Sequence, residues 1–373
     1  MAESTRLVDL VQLRIDEFLT DRATQLGAIA PELEEFAQFS RDFLARGKRF
    51  RALFCYWGWQ AVCSNGSDIE PLPAESQSAA LPGVILAAAA LEVFHAAALV
   101  HDDIIDNSDT RRGAPAAHKR FEALHRDGRW NGSSVGFGQS AALLLGDLLL
   151  GWSDELFDAG LKVLPDHESA LAARAQFNVM RTEVTAGQYL DILEEKSWAT
   201  RPEAELLSRA HRVIVYKSAK YSVEAPLAIG ATLGGGSLAQ VASLRQFGLP
   251  LGVAYQLRDD LLGVFGDPEV TGKPAGDDLR EGKRTVLIAL ARTKLPTQAS
   301  RLLDELLGEG ELDEQQVRML QATIRDSGAV EHAERIIDHN VQTAKAAIAD
   351  APLSASARAE LVRLADTVIQ RAS

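Results

Sequence analysis

Cysteine is nearly absent from the chain: Cys55 and Cys63 are the only two among 373 residues. That excludes a disulfide framework and points to a reducing compartment. Basic residues are also in short supply, 39 against 52 acidic ones, for a formal charge of −13. A general nucleic-acid surface needs basic patches to meet phosphate backbones, so no nucleic-acid partner is expected and any phosphate site has to be local. The N-terminal stretch MAESTRLVDLVQLRIDEFLT carries acids and lacks the apolar core of a secretory signal. The most apolar window, from Val84 to Val100, is interrupted by Glu92 and His95, so no transmembrane segment is expected. A soluble, cytoplasmic protein is the expectation. Alternating β-branched stretches of strand length are scarce, and there is no repeat of solenoid period, low-complexity tail or composition break marking a second domain.

What is present is helical periodicity. The spacing of apolar residues predicts helices over 5–28, 31–44, 51–62, 82–106, 140–159, 168–195, 203–233, 238–265 and 285–293, followed by four shorter ones. Pro82 is expected near a helix start, where its missing N–H costs nothing. Three connections stand out: a polar, Pro-rich excursion over 64–80, a Gly/Ser-rich link over 126–139, and a charged, glycine-punctuated lid from Gly266. The fold class expected is all-α: a single large helical bundle around a central cavity.

The apolar run ending in LVHDDIIDNSDTRRG closes on Asp102, Asp103 and Asp106, with Arg111 and Arg112 just beyond. On a helix, positions four apart differ by about 40° and rise about 6 Å, so Asp102 and Asp106 share a face. Two such carboxylates repel unless a cation lies between them, and hard oxygens that leave coordination positions open suit magnesium shared with substrate phosphates. Taken alone the pattern equally fits a solvated helix end. The two arginines shift that balance, since guanidinium groups grip diphosphate bidentately.

A second helix ends in YQLRDDLLGVFGD, with Asp259 and Asp260 but Gly263 at the fifth position. The lid contributes Lys273, Lys283 and Arg284, which by themselves read as solvated charges and together with the acids read as a closure over a polyanion. GKRFR places Lys48, Arg49 and Arg51 at the opening of an aromatic helix, a natural anion site that lacks the P-loop frame. His95, two turns before Asp102, is a further donor for the Lys48/Arg51 site or an ordinary core histidine. No Ser/His/Asp or Cys/His set offers a nucleophile.

In this order GKRFR, HDDIIDNSDTRRG, GQYLD, YKS, YQLRDD and GKPAGDDLREGKRT resemble the trans-isoprenyl diphosphate synthases of the polyprenyl synthetase family, closest to its geranylgeranyl diphosphate synthases. The resemblance implies a single domain over 1–373, with a motif-bearing core from about residue 40 to 290 and a helical C-terminal framework. It implies a Mg2+-dependent condensation of isopentenyl diphosphate with dimethylallyl, geranyl or farnesyl diphosphate, with three ions when substrate is bound, and a homodimer. Asp102, Asp106 and Asp259 match metal positions. Arg111, Lys217, Ser218, Gln256, Lys273 and Lys283 match the allylic diphosphate site, Lys217 also acting at the reacting end. Lys48, Arg51, His95 and Arg112 match the isopentenyl diphosphate site, and Gln188 and Asp191 fall on the GQxxD helix. Gly263 departs from the acid the family's second motif carries there.

In the family, bulk four or five residues before the first aspartate blocks the growing chain. Here Ala97 and Ala98 stand at those positions, with Phe94 one turn deeper as a candidate floor. A geranylgeranyl product is therefore expected, with farnesyl or longer products as alternatives. A class I terpene cyclase is the nearest rival, but it needs no second diphosphate site and the chain has no NDxxSxxxE-type triad. A non-catalytic partner subunit ordinarily lacks an acidic motif, and both are present.

Overall fold

The computed structural model describes residues 2–45, 47–63, 74–111, 113–267, 276–307 and 312–369. Arg112 and Lys273, both expected at the diphosphate sites, lie outside them. Among the described residues the secondary structure is helical apart from one ribbon of two two-residue strands, and the contacts fall into two compact units: Met1–Arg174 with Ile229–Gly236, and Ala175–Ala228 with Ser237–Ser373.

The first unit is built from α1 (Ala2–Ile29), α2 (Glu34–Leu44), α3 (Phe50–Cys63), α4 (Ala74–Ile105), α5 (Ala117–Asp127), α6 (Ser134–Lys162) and the start of α7 (His167–Ser197). Strands β1 (Thr110–Arg111) and β2 (Ala114–Pro115) pair antiparallel just after α4. α4 is the core helix; Ala87 through Leu91 are all fully buried. Its largest contact is with α6, and glycines permit that approach: a Cβ on Gly83 would sit 2.7 Å from the Gly160 carbonyl, and one on Gly160 would sit 2.7 Å from that of Gly83.

The second unit holds the rest of α7, then α8 (Glu203–Val213), a π-helix (Ile214–Glu224), the start of α9 (Ala225–Leu233) and α10 (Leu238–Phe265). A short α11 (Asp277–Arg280) leads to α12 (Val286–Arg292), α13 (Thr297–Leu306), α14 (Glu314–Asp326), α15 (Ala329–Ala349) and α16 (Ala355–Ile369). α10 packs on the π-helix and on α15. Its start is fixed by a capping box: Ser237 Oγ accepts from Gln240 N, and the Gln240 side chain accepts from Ser237 N, satisfying two amides that helix geometry leaves over.

Three expectations need correction. Pro82 lies inside α4, not at its start, because the helix begins at Ala74; the ring costs one backbone bond. The 64–80 excursion is correspondingly shorter, since 74–80 are helical. Likewise α6 begins at Ser134, where Ser133 caps it through Gly136 N, so the Gly/Ser-rich link contracts. Two helices among the described residues are long and apolar enough to cross a membrane by length and composition alone, Ala79–Ile105 and Ser134–Lys162, a test that a buried core helix also passes. Of the apolar window in α4, 78% is buried within the protein, against 33% for that in α6.

Both cysteines are free and buried, and burial pushes each thiol up to about 12, leaving no thiolate to react. Gly160→Ala is expected to destabilise the protein by about 1–3 kcal/mol through overpacking against the Gly83 carbonyl, read as a lower urea midpoint; an unchanged midpoint contradicts the close approach.

Candidate active site

In the first unit the acidic end of α4 is locked in place before any ligand is considered. The helix ends at Ile105, yet the Asp106 amide still reaches the Asp102 carbonyl at 2.8 Å, so the two carboxylates keep one face as the spacing predicts. Asn107 then takes a left-handed φ of +52° and turns the chain into the ribbon that carries Arg111. Asp103, given no role by sequence, is fully buried and accepts two bonds from the Arg111 guanidinium, from Nε at 2.7 Å and from Nη2; Nη2 also lies 3.6 Å from Asp102. A buried carboxylate without a cation is costly, and Arg111 both neutralises Asp103 and is thereby aimed along the Asp102/Asp106 face.

The other side of this helix end is fixed by His101. Its Nε2 lies 3.2 Å from the Leu143 carbonyl and 3.5 Å from Asp147 on α6, in a notch where a Cβ on Gly146 would come within 2.1 Å of the ring. Upstream on α4, Ala98 and His95 are partly exposed, whereas Ala97 and Phe94 are buried. At the α3 start, Lys48 is exposed and Arg51 half-buried. Arg49 is buried and turned inward, so the three cations of GKRFR do not form one surface cluster.

In the second unit the π-helix displays Lys217 and Ser218, both half-buried. Gly187 of the GQYLD motif explains the approach: a Cβ there would meet the Lys217 amide nitrogen at 2.4 Å. One turn on, Asp191 accepts from Lys217 Nζ. From the other side Gly252 of α10 lies against Ala219, where a Cβ would come within 2.6 Å of its Cα. π-Helical turns are concentrated at functional sites, and here one sets the Lys217 backbone between two glycines.

α10 ends in exposed Asp259 and buried Asp260. Burial pushes the Asp260 carboxyl well above the usual range; Gln256, donating to one oxygen at 2.9 Å, works against that shift, and the nearby Asp278 and Asp259 reinforce it. The departure at Gly263 has a structural counterpart, because a Cβ there would lie 2.0 Å from Asp278 Oδ2. The lid's own carboxylate fills the space an acid at 263 would enter. Lys283 Nζ lies 2.7 Å from Glu281 and 3.9 Å from Asp278. Arg284, which the sequence groups with the lid cations, instead points inward to Asp304 and the Leu307 carbonyl, beside the Trp198 ring.

Among the described residues no group of three or more His, Cys, Asp and Glu side chains closes into a metal cage. The donor sets suit magnesium nonetheless: paired Asp102 and Asp106 oxygens, and Asp259 at the α10 end, are hard ligands that leave positions for substrate phosphates and water. Placing the family's acid back at position 263 is not expected to help. Gly263→Asp forces Asp278 aside and sets like charges together beside buried Asp260, raising the magnesium concentration for half-maximal turnover by about fivefold, equivalent to about 1 kcal/mol. Adding Asp278→Gly is expected to reverse most of that rise, and a single variant matching the wild type contradicts the crowding.

Comparison with known proteins accords with this geometry. The family model described as polyprenyl synthetase matches residues 33–324. A solved geranylgeranyl pyrophosphate synthase from Corynebacterium glutamicum, complexed with isoprenyl diphosphate and magnesium, superposes with a TM-score of 0.87 at 36% identity, over 98% of this chain and 99% of that one. A geranylfarnesyl diphosphate synthase of Aeropyrum pernix is 30% identical over 80% of this chain and 84% of its own length. A geranylgeranyl diphosphate synthase of Methanosarcina mazei is 28% identical over 96% and 98%. The family uses magnesium. The chain belongs to the polyprenyl synthetase family: it is an isoprenyl diphosphate synthase, a transferase of prenyl groups with the all-α isoprenoid synthase fold.

Proposed function

We propose that this enzyme condenses isopentenyl diphosphate with an allylic diphosphate (dimethylallyl, geranyl or farnesyl) and releases geranylgeranyl diphosphate. The observation that carries the product assignment is on α4: Ala98 is partly open, and Phe94, one turn deeper, is buried. The same helix thus offers an unobstructed alanine below the acids and a bulky ring beyond it. The curated relatives named for geranylgeranyl and geranylfarnesyl products support elongation past fifteen carbons.

In this reading Arg111, Lys217, Lys273 and Lys283 hold the allylic diphosphate, while Lys48, Arg51, His95 and Arg112 hold isopentenyl diphosphate. Ser218 and Gln256 face the allylic carbon that loses its diphosphate. Asp102, Asp106 and Asp259 would hold magnesium, up to three ions with substrate bound, which would supply the charge neutralisation that makes diphosphate a leaving group. The cations stabilise negative charge developing on the departing oxygen in a dry site. The C–O bond breaks with its electron pair on diphosphate; the alkene of isopentenyl diphosphate then forms the new C–C bond, and the proton it sheds passes to the released diphosphate. No side-chain nucleophile is required. Lys217 Nζ donates to Asp191, which in this reading steadies the ammonium beside the allylic diphosphate.

The whole chain, 1–373, serves as one catalytic domain in this proposal, supported by a family match that draws on residues of both units. It assembles as a homodimer in the cytoplasm. Adjacent Leu143 and Leu144 on α6 are 51% and 60% exposed, an apolar surface suited to a second copy, and the two free thiols accord with a reducing compartment.

Chain-length analysis of two variants tests the product assignment. Phe94→Ala is expected to lengthen the main product by one or more five-carbon units, and Ala98→Phe to stop it at fifteen carbons. Unchanged products from both variants contradict Phe94 as the floor.

A further inference from the structure

The middle arginine of GKRFR is the least expected side chain in the first unit. Arg49 is 3% exposed and has a φ of +51°, a left-handed conformation that bulky L-residues adopt only when their surroundings impose it. Its guanidinium enters the protein instead of joining Lys48 and Arg51. Nη1 lies 3.5 Å from Glu92 Oε2 on α4, and Nη2 donates to Gln12 Oε1 on α1 and to the Leu44 carbonyl at the end of α2.

Glu92 is itself 3% exposed, and its second oxygen accepts from the Ala52 amide at 3.1 Å. Ala52 is the third residue of α3, where an amide has no partner within the helix and the side chain of the residue preceding the helix ordinarily supplies one. That preceding residue is Arg49, whose carbonyl accepts from Leu53 N at 2.9 Å but whose side chain has only donors. Glu92 therefore caps α3 from another helix while neutralising the arginine that precedes it. Lys48 and Arg51 flank this turn on either side, and His95 lies one helical turn after Glu92 on the same face of α4.

We propose that Arg49 and Glu92 form a buried positioning pair that sets the relative placement of Lys48, Arg51 and His95 for one diphosphate, that of isopentenyl diphosphate. The pair touches no substrate. It fixes the left-handed turn that separates the two cations along the chain and ties that turn to the helix carrying the histidine. This rests on the assignment of Lys48, Arg51 and His95 to isopentenyl diphosphate.

Steady-state kinetics on Arg49→Lys, Glu92→Gln, the double variant Arg49→Gly/Glu92→Gln and, as a control, Lys48→Ala provide the test. The double variant leaves no buried charge unpaired, and glycine takes the left-handed turn without strain, so it guards against a loss of folding in the single variants. The expected result is a rise of about tenfold in KM for isopentenyl diphosphate in the Arg49 and Glu92 variants, with KM for the allylic substrate and kcat within about twofold of the wild type. A lowered unfolding midpoint with KM for isopentenyl diphosphate unchanged overturns the proposal and leaves the pair purely structural. Equal losses for both substrates overturn it too. If Lys48→Ala leaves KM for isopentenyl diphosphate unchanged, the site assignment itself fails, and the positioning role with it.

Discussion

Asp103 is wholly enclosed at the end of a long, largely apolar helix, and the Arg111 guanidinium is what makes that position tolerable. An isolated carboxylate taken out of water costs several kcal/mol or changes its protonation state. Meeting that cost with an arginine on a two-residue ribbon brings a cation alongside Asp102 and Asp106. The polar end of α4 is thus a constructed surface in which one carboxylate is consumed internally so that two others are presented together.

The same device recurs elsewhere, each time with different chemistry at the exposed end. Glu92 is neutralised by Arg49 and in turn caps α3. Glu194 receives both prongs of Arg209 at 2.8 and 2.6 Å, on the helix that carries Asp191. In each unit a buried carboxylate is paired with an arginine close to side chains assigned to the candidate site. For a chain of net charge −13 this matters, because affinity for polyanions cannot come from the overall field and has to come from cations fixed one by one.

Much of the fold was legible. α10 has the bounds its periodicity predicts, Leu238–Phe265, because Ser237 caps its start through local chemistry. α3 and α7 agree within two residues. Failures occur where local signals mislead. Pro82 reads as a start because proline is favoured there, whereas the helix runs on from Ala74. The stretch 203–233 reads as one α-helix because a π-turn leaves no mark in apolar spacing; only the structure shows the π-helix, with Gly187 and Gly252 closely apposed to it. In the candidate site, Asp102, Asp106, Asp259, Lys48 and Arg51 stand out in the sequence because clustered charges at helix ends have few structural explanations. Asp103, Arg49 and Glu92 do not, since nothing in a run of charges says which member turns inward. Gly263 shows its departure in the sequence, but only the structure shows Asp278 against it.

The central claim is that this arrangement joins two diphosphate substrates instead of rearranging one. The most direct test incubates the purified protein with magnesium, labelled isopentenyl diphosphate and each allylic primer, with the allylic diphosphate alone as the second arm. The account predicts label incorporated into geranylgeranyl diphosphate only when both substrates and magnesium are present. Hydrocarbon released from the allylic diphosphate alone, with no label taken up, would contradict it.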